Sequence, residues 1–427
     1  MTQDLLTSPD VSPLVRTVVL QPTPFCNINC RYCYLPTRSD KAVMPLTTIV
    51  ATFEKIFASA WASPQMTVIW HAGEPLVLPV SYYEQAFQAI EAIRPESLQL
   101  RHSIQTNGML INPEWCDLIK KWQIGLGVSV DGPRRLHDAN RVTRSGAGTF
   151  DRTITGIRLL RKEKIPFHVI SVLSEAAMNS PEELLNFYLS EGIEDVCFNV
   201  EESEGNHIST LLAGDNPRER FRRFLDRFWT LSRQSPRIHF IREIDGMIAR
   251  IFRPEGTMFR NEQVEPMGML NIDCHGNVSS FSPELLGYKN PDYSDFIIGN
   301  VLSDSLNDMR QSASMQAMTR DIEAGIEMCR RECEYFSVCG GGAPVNKLSE
   351  NGAFASSKTT FCSLVYMAPT DLILYAFDRI EQDLDRAAAP ISIDGFQRAP
   401  LAACTDTKSY RSDMPDVALH QIQRGSR

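Results

Sequence analysis

The sequence is short of positive charge: 43 Lys and Arg stand against 52 Asp and Glu, a net charge of −9. That balance opposes non-specific attraction to nucleic acid. It favours a basic peptide as partner, although a mild acidic excess also serves solubility alone. No apolar run approaches the roughly 20 residues that span a bilayer, and the polar start Met1-Thr2-Gln3-Asp4 is no signal peptide. Neither a membrane nor a nucleic acid is an expected partner, and the cytoplasm is the expected compartment. A disulfide framework is not expected either, because reducing compartments leave thiols free for metals or catalysis.

What the chain does have is eleven cysteines, seven of them in two clusters. The first is Cys26-Asn27-Ile28-Asn29-Cys30-Arg31-Tyr32-Cys33, a CxxxCxxC triplet after the apolar run 17–20. Three thiols in one short loop can converge on a single metal centre. A closed structural zinc site wants four protein ligands, whereas a three-thiolate Fe–S cluster leaves one iron for substrate or cofactor. Pro24 hinders a helix from running into the loop, so irregular backbone at a strand end must present the thiolates. The alternatives are a zinc knuckle, which lacks a clear local fourth ligand, and three unrelated core cysteines.

Residues 1–14 read as a flexible lead-in. From Val15 onward β-branched runs alternate with amphipathic stretches, the pattern of βα units on a parallel sheet. Strands are predicted at 17–21, 66–71, 98–105, 124–130, 167–173 and 195–200, with helices near 47–59, 82–93, 113–121, 150–163 and 181–189. Six such units close into a partial (β/α)6 TIM-like barrel, whose functional residues gather at the carboxyl ends of the strands. This core is placed at 15–235. Helices at 221–231 and 241–251 follow, with 236–265 bridging to a cysteine-rich region at 266–384. That region opens with a hairpin over 269–278, turning at His275-Gly276, then a strand at 296–301 and a helix around 305–317. A flexible tail is placed at 385–427.

The second cluster is Cys329, Cys333, Cys339 and, after Gly340-Gly341-Gly342, Cys362. Four thiols form a full ligand set for one closed site, for which zinc and a [4Fe-4S] cluster compete. The glycines let backbone wrap close around a bulky core. Cys116, Cys197 and Cys404 read as buried small hydrophobes.

The CxxxCxxC spacing with Tyr32 before the last cysteine resembles the cluster motif of the radical S-adenosylmethionine (SAM) enzymes. The resemblance implies a [4Fe-4S] cluster whose open iron binds SAM and reduces it to a 5′-deoxyadenosyl radical. His71-Ala72-Gly73-Glu74-Pro75 resembles the GGEP motif of the same family, which implies that this strand edge, with Gly73, Glu74 and Pro75, receives the SAM amino group. Ser129-Val130-Asp131-Gly132-Pro133, continuing to Arg141, resembles the S-x-D-G-P segment of SPASM-type members. Carried over, Ser129 meets the SAM ribose and Arg141 its carboxylate, with Asn107 and Asp131 as further contacts. An Asn-Gly or Asp-Gly pair is also an ordinary turn.

The second cluster resembles the SPASM extension, with departures: the usual CxxC is Cys329-xxx-Cys333, an expected cysteine is Ala343, and the hairpin segment that normally ends in Cys reads Ser279-Ser280-Phe281-Ser282. The resemblance therefore implies one auxiliary [4Fe-4S] cluster on Cys329, Cys333, Cys339 and Cys362, with Cys274 as a possible extra ligand.

The segments 20–30, 70–76, 281–287 and 335–344 look like the GrrM-type maturases, radical SAM/SPASM enzymes that install three-residue cyclophanes in ribosomally made, Gly/Arg-rich peptides. The implied reaction abstracts a β-hydrogen from a precursor residue and joins that carbon to an aromatic ring. The auxiliary cluster then takes an electron, and a base takes the ring proton: Glu284, Glu201 or Glu202. A flavodoxin or ferredoxin is the implied electron donor. The acidic strand end Asn199-Val200-Glu201-Glu202-Ser203-Glu204-Gly205 is equally readable as a solvated loop. Other readings are a formylglycine-forming sulfatase-maturating enzyme, SAM-dependent methylation or isomerisation, and a non-enzymatic zinc-binding scaffold.

Overall fold

The computed structural model describes residues 15–202, 209, 215–254 and 259–388, the last eight as backbone only. The predicted lead-in, Ser203-Glu204-Gly205, Cys404 and the end of the tail lie outside the described residues.

The barrel series runs β1 (Val15–Leu20), α1 (Leu46–Phe57), β2 (Ala62–Trp70), α2 (Val80–Ile93), β3 (Gln99–Thr106), α3 (Pro113–Trp122), β4 (Gly125–Ser129), α4 (Arg134–Asn140), α5 (Phe150–Lys162), β5 (His168–Leu173), α6 (Glu175–Met178), α7 (Pro181–Glu191) and β6 (Asp195–Val200). All six strands pair in parallel in chain order, as βα units with helical crossovers must. The partial barrel read from the sequence is the fold observed. Strand residues pointing to the helices are apolar and buried, such as Val18, Leu20, Val68, Trp70, Ile104, Leu126 and Val128, and they form the main core with Phe53, Phe87, Ile90 and Ile157. β4 carries only glycine and serine on its other face (Gly125, Gly127, Ser129). Any Cβ at Gly127 would collide with Gln105 and His168, so the interior of the barrel is closely occupied there.

The sheet does not stop at six strands. β7 (Phe240–Ile241) extends it beside β6 after α8 (Pro217–Ser232), and α9 (Arg242–Ile251) follows. The hairpin β8 (Met269–Ile272) and β9 (Asn277–Ser280) joins the opposite side, β8 pairing in parallel with β1, and β10 (Gly299–Asn300) closes the order β10-β9-β8-β1-β2-β3-β4-β5-β6-β7. The strand expected at 296–301 shrinks to two residues; its first position, Phe296, has positive φ, which a strand does not accommodate. The helix expected at 305–317 is two, α10 (Leu306–Gln311) and α11 (Ala313–Glu332), broken at Ser312, whose extended backbone ends one and whose hydroxyl caps the next.

After α11 come α12 (Phe336–Cys339), α13 (Pro344–Asn351), the single turn α14 (Thr360–Cys362), a π-helical Ser363–Met367 and α15 (Ala368–Ala388). The stretch Thr360–Ile380 is long and apolar enough, by length and composition, to cross a membrane, although the sequence contains no unbroken apolar run of that length. Half of it is packed inside the protein and Arg218 of α8 pairs with its Asp371, as in a core helix.

Candidate active site

The three-thiol loop leaves β1 as irregular backbone, and its neighbours hold it on all sides. Asn29 N–H donates to the Val142 carbonyl at 2.7 Å and Arg31 N–H to the Asn140 carbonyl at 3.0 Å, so the segment after α4 clamps the middle of the loop. Cys26 N–H donates to the Arg38 carbonyl (3.1 Å), and Asn107 at the end of β3 donates to the Asn27 side chain (2.7 Å). Cys26, Cys30, Tyr32 and Cys33 pack together with Ile28 and Met109 as a small cluster of their own. Burial raises the Cys26 thiol to about 12 and Cys30 to about 11, with neighbouring thiols adding to the rise. Three cysteines packed in one cluster are a thiolate donor set of the kind that holds iron.

Beside the loop, Tyr32, Asp131 and Arg141 form one buried unit. Tyr32 Oη donates to Asp131 Oδ2 (2.5 Å), Arg141 Nε to Asp131 Oδ1 (3.0 Å), and the guanidinium lies over the Tyr32 ring, 5.4 Å from its centroid. Arg141 Nη1 stands 4.0 Å from Cys30 Sγ. Val172 N–H of β5 also donates to Asp131 (3.0 Å). His137 reaches Thr149 (2.9 Å), whose hydroxyl donates to the Arg141 carbonyl (2.8 Å). Residues of the β3, β4 and β5 units thus hold the loop and the buried unit beside it.

The β2 end answers for the other side. Ala72 and Gly73 both have positive φ, and a Cβ on Gly73 would fall 2.4 Å from the Thr23 carbonyl and 2.8 Å from that of Phe25. Only glycine fits where this edge crosses the entrance to the thiol loop. Glu74 is 1 % exposed and turned inward: it accepts from Leu76 N–H (3.0 Å), Thr106 Oγ1 (2.7 Å) and Asn107 N–H (2.7 Å). Its carboxylate ties β2 to β3, and Pro75 begins the short turn that this carboxylate caps. Burial raises the Glu74 pKa against those hydrogen bonds. Ser129 accepts from Gln105 Nε2 (3.0 Å) on the inner face.

Of the residues singled out in the sequence, Tyr32, Asn107, Asp131 and Arg141 touch the thiol loop or the buried unit beside it and Gly73 packs against its entrance, while Glu74, Pro75 and Ser129 stand at the ends of the neighbouring strands. Asn27, Thr106, His137 and Thr149 complete the setting; Thr106 and Asn27 stand next to motif residues, whereas nothing local marked His137 or Thr149.

The second set lies among helix ends. Cys329 is in the last turn of α11, Cys333 is its extended cap, Cys339 ends α12 and Cys362 ends α14. Cys339 and Cys362 are buried with Met247, Val338, Tyr366 and Met367, and Cys333 packs against them. Burial lifts the Cys339 thiol to about 11, with Cys362 and Cys333 contributing, and Cys362 in turn feels Cys329. Gly340, Gly341 and Gly342 all have positive φ, and Asn261 Nδ2 grips the carbonyls of Cys339 (3.0 Å) and Gly342 (2.7 Å). Cys274 is elsewhere: it belongs to the main core at the hairpin turn, with Asp273 and Asp40 as its charged neighbours. Among the described residues, no three His, Cys, Asp or Glu are set to grip one metal ion.

Of the three carboxylates, Glu201 and Glu202 follow β6 at the same carboxyl edge as the thiol loop, and Glu202 accepts from Asn346 Nδ2 of α13 at 2.6 Å. Glu284 sits on the turn after β9, where Ser282 donates to it and burial raises its pKa.

Residues 20–188 match the Radical SAM superfamily model. An uncharacterised protein of Synechocystis sp. is 39% identical over 365 residues, covering 84% of this chain and 92% of the relative. The chain belongs to the radical SAM superfamily. This radical SAM enzyme uses a [4Fe-4S] cluster and SAM, and the three-thiol loop has the donor set for the cluster. It is 24% identical over 390 residues to a serine-type anaerobic sulfatase-maturating enzyme of Bacteroides thetaiotaomicron, covering 86% of this chain and 91% of the relative. Among solved structures, anSMEcpe with bound AdoMet superposes with a TM-score of 0.69 at 19% identity, covering 88% of this chain and 100% of that one. Streptococcus suis SuiB bound to precursor peptide SuiA gives 0.55 at 14% identity, over 82% and 76%. At these identities the two structures establish the fold alone.

Proposed function

We propose that this radical SAM enzyme modifies a ribosomally made precursor peptide by joining a β-carbon to an aromatic ring, the cyclophane reaction of the GrrM-type maturases. The observation that carries this reading is the pairing, among the described residues, of an open three-thiol site with one separate four-thiol site. Where a proximal auxiliary cluster would take cysteines, Ser279, Ser280, Phe281 and Ser282 are all fully buried. Ser280 donates to the Met269 carbonyl and Ser279 accepts from Asn271, so this segment is packed as hairpin core. Ala343 caps α13.

When bound, the first cluster with SAM supplies a hydrogen-abstracting 5′-deoxyadenosyl radical, and the second supplies a sink for the electron released as the ring closes. Cys26, Cys30 and Cys33 would hold the first; Cys329, Cys333, Cys339 and Cys362 the second. Arg141, fixed by Asp131, offers a cation for the SAM carboxylate, and Ser129 a hydroxyl on the inner face of the barrel. The ring proton needs a base; Glu202, held by Asn346 at the strand edge, and Glu284, whose raised pKa suits proton uptake, are the residues for it, with Glu201 beside Glu202. A Gly/Arg-rich peptide suits the acidic edge, and a flavodoxin or ferredoxin would deliver electrons.

The full-length likeness to a sulfatase-maturating enzyme favours a second reading, oxidation of Cys or Ser to formylglycine. Mass spectrometry of the reacted peptide separates them from other classes. A cross-link loses two hydrogens and gives fragment ions that no longer break between the joined residues. Formylglycine shows an aldehyde that hydrazine probes capture, and methylation adds a CH2.

A further inference from the structure

Lys347 is a lysine in the interior. It lies on α13 and is 2 % exposed, and a buried ammonium is costly unless hydrogen bonds and an opposite charge compensate it. Among the described residues its Nζ makes one hydrogen bond, to the Gly325 carbonyl (3.0 Å), and no ion pair. A carbonyl dipole does not neutralise a full charge. Gly325, in the middle of α11, is where the room comes from: a Cβ there would stand 3.1 Å from Nζ and 2.3 Å from the Phe354 carbonyl. On its other side, Lys347 Cε is 3.8 Å from the point a Gly342 Cβ would occupy, and Cys362 Sγ is 3.1 Å from that same point. The stem therefore runs past the glycine loop that closes the four-thiol site.

We propose that Lys347 is the built-in counter-charge of the four-thiol site, raising the reduction potential of the cluster bound there. This rests on reading that site as an auxiliary [4Fe-4S] centre. A cubane with four thiolates is negative in either oxidation state and more negative once reduced, so a fixed cation in a low-dielectric setting favours the reduced form. The preceding residue, Asn346, holds Glu202 at the barrel edge. One helix thus touches both the electron sink and a carboxylate at the mouth of the barrel.

The test uses the full chain carrying Cys26→Ala, Cys30→Ala and Cys33→Ala, so that only the second site contributes iron. Lys347→Met and Lys347→Arg are made in that background, and anaerobic iron content, circular dichroism and EPR-monitored potentiometric titration are recorded. The Met variant should keep about four irons while its reduced-to-oxidised ratio at fixed potential falls about tenfold, equivalent to a one-electron midpoint about 59 mV more negative. The Arg variant should titrate with the parent. Cluster loss in the Met variant alone, with unchanged circular dichroism, also supports a requirement for charge. An unchanged midpoint in the Met variant, or equal cluster loss in both variants, overturns the proposal. A parent without iron overturns the auxiliary-cluster reading itself.

Discussion

The two thiol sites are built in opposite ways. The first is a loop held from outside: its cysteines lie on irregular backbone, and its position is dictated by Gly73, Asn107, Asp131 and Asn140 from three successive barrel units. The second is held from within: its cysteines are placed by the ends of their own helices, and Asn261 is the one distant side chain described as gripping its glycine loop. The contrast suits the tasks proposed for them. A site that must admit a cofactor keeps one position open and is oriented by its surroundings; a site that only exchanges electrons is closed and buried.

The strongest way to break the comparison is to add one methyl group at each site. Gly73→Ala places a carbon 2.4 Å from a backbone oxygen that no side-chain motion can move, at φ +69. SAM cleavage should be lost together with about four irons, leaving the second cluster's share. Gly342→Ala brings a carbon 3.1 Å from Cys362 Sγ at φ +76 and should do the reverse, removing about four irons while SAM cleavage persists. Iron analysis and deoxyadenosine assay on both variants check this; loss of both clusters in either would mean the sites are not independent.

Asp131→Asn is the next largest effect. It removes the charge that holds the buried Arg141 and should destabilise the fold by about 3 to 5 kcal/mol, as for a broken buried ion pair, with SAM binding weakened about 10- to 100-fold. Denaturant titration and SAM affinity read the two parts. The second site's iron should be unaffected.

A further effect is a pH dependence carried by four buried histidines of the barrel. Burial lowers the pKa of His71, His137 and His168 to about 4 and that of His102 to about 3. The unfolded chain takes up these protons near pH 6.5 and the folded chain only near 4, so the stability they confer is complete above 6.5 and declines as pH falls between those values. The denaturation midpoint, followed by tryptophan fluorescence, should fall from pH 7 to 5, and His102→Gln should flatten the fall. All five tryptophans (Trp61, Trp70, Trp115, Trp122, Trp229) precede the second cluster in the chain and report on the barrel.

Much of the first site was legible because its residues sit at fixed places after strands that announce themselves by β-branched runs; β6 falls at 195–200 as read. The hairpin's union with β1 was not, since pairing between residues 250 positions apart leaves no local pattern. Glu74 shows a subtler gap: the motif marks the residue, but only the fold reveals that its carboxylate is turned inward to Thr106 and Asn107. Lys347 reads in sequence as an ordinary polar position of an amphipathic helix, and its burial follows from Gly325 and the loop at Phe354, which no periodicity connects to it.

The most direct test of the central claim is anaerobic iron and zinc content of the native chain and of the Cys26→Ala, Cys30→Ala, Cys33→Ala variant, with SAM cleavage measured on both. The account predicts about eight irons falling to about four, with cleavage abolished. About twelve irons, or zinc with no SAM cleavage, would contradict it.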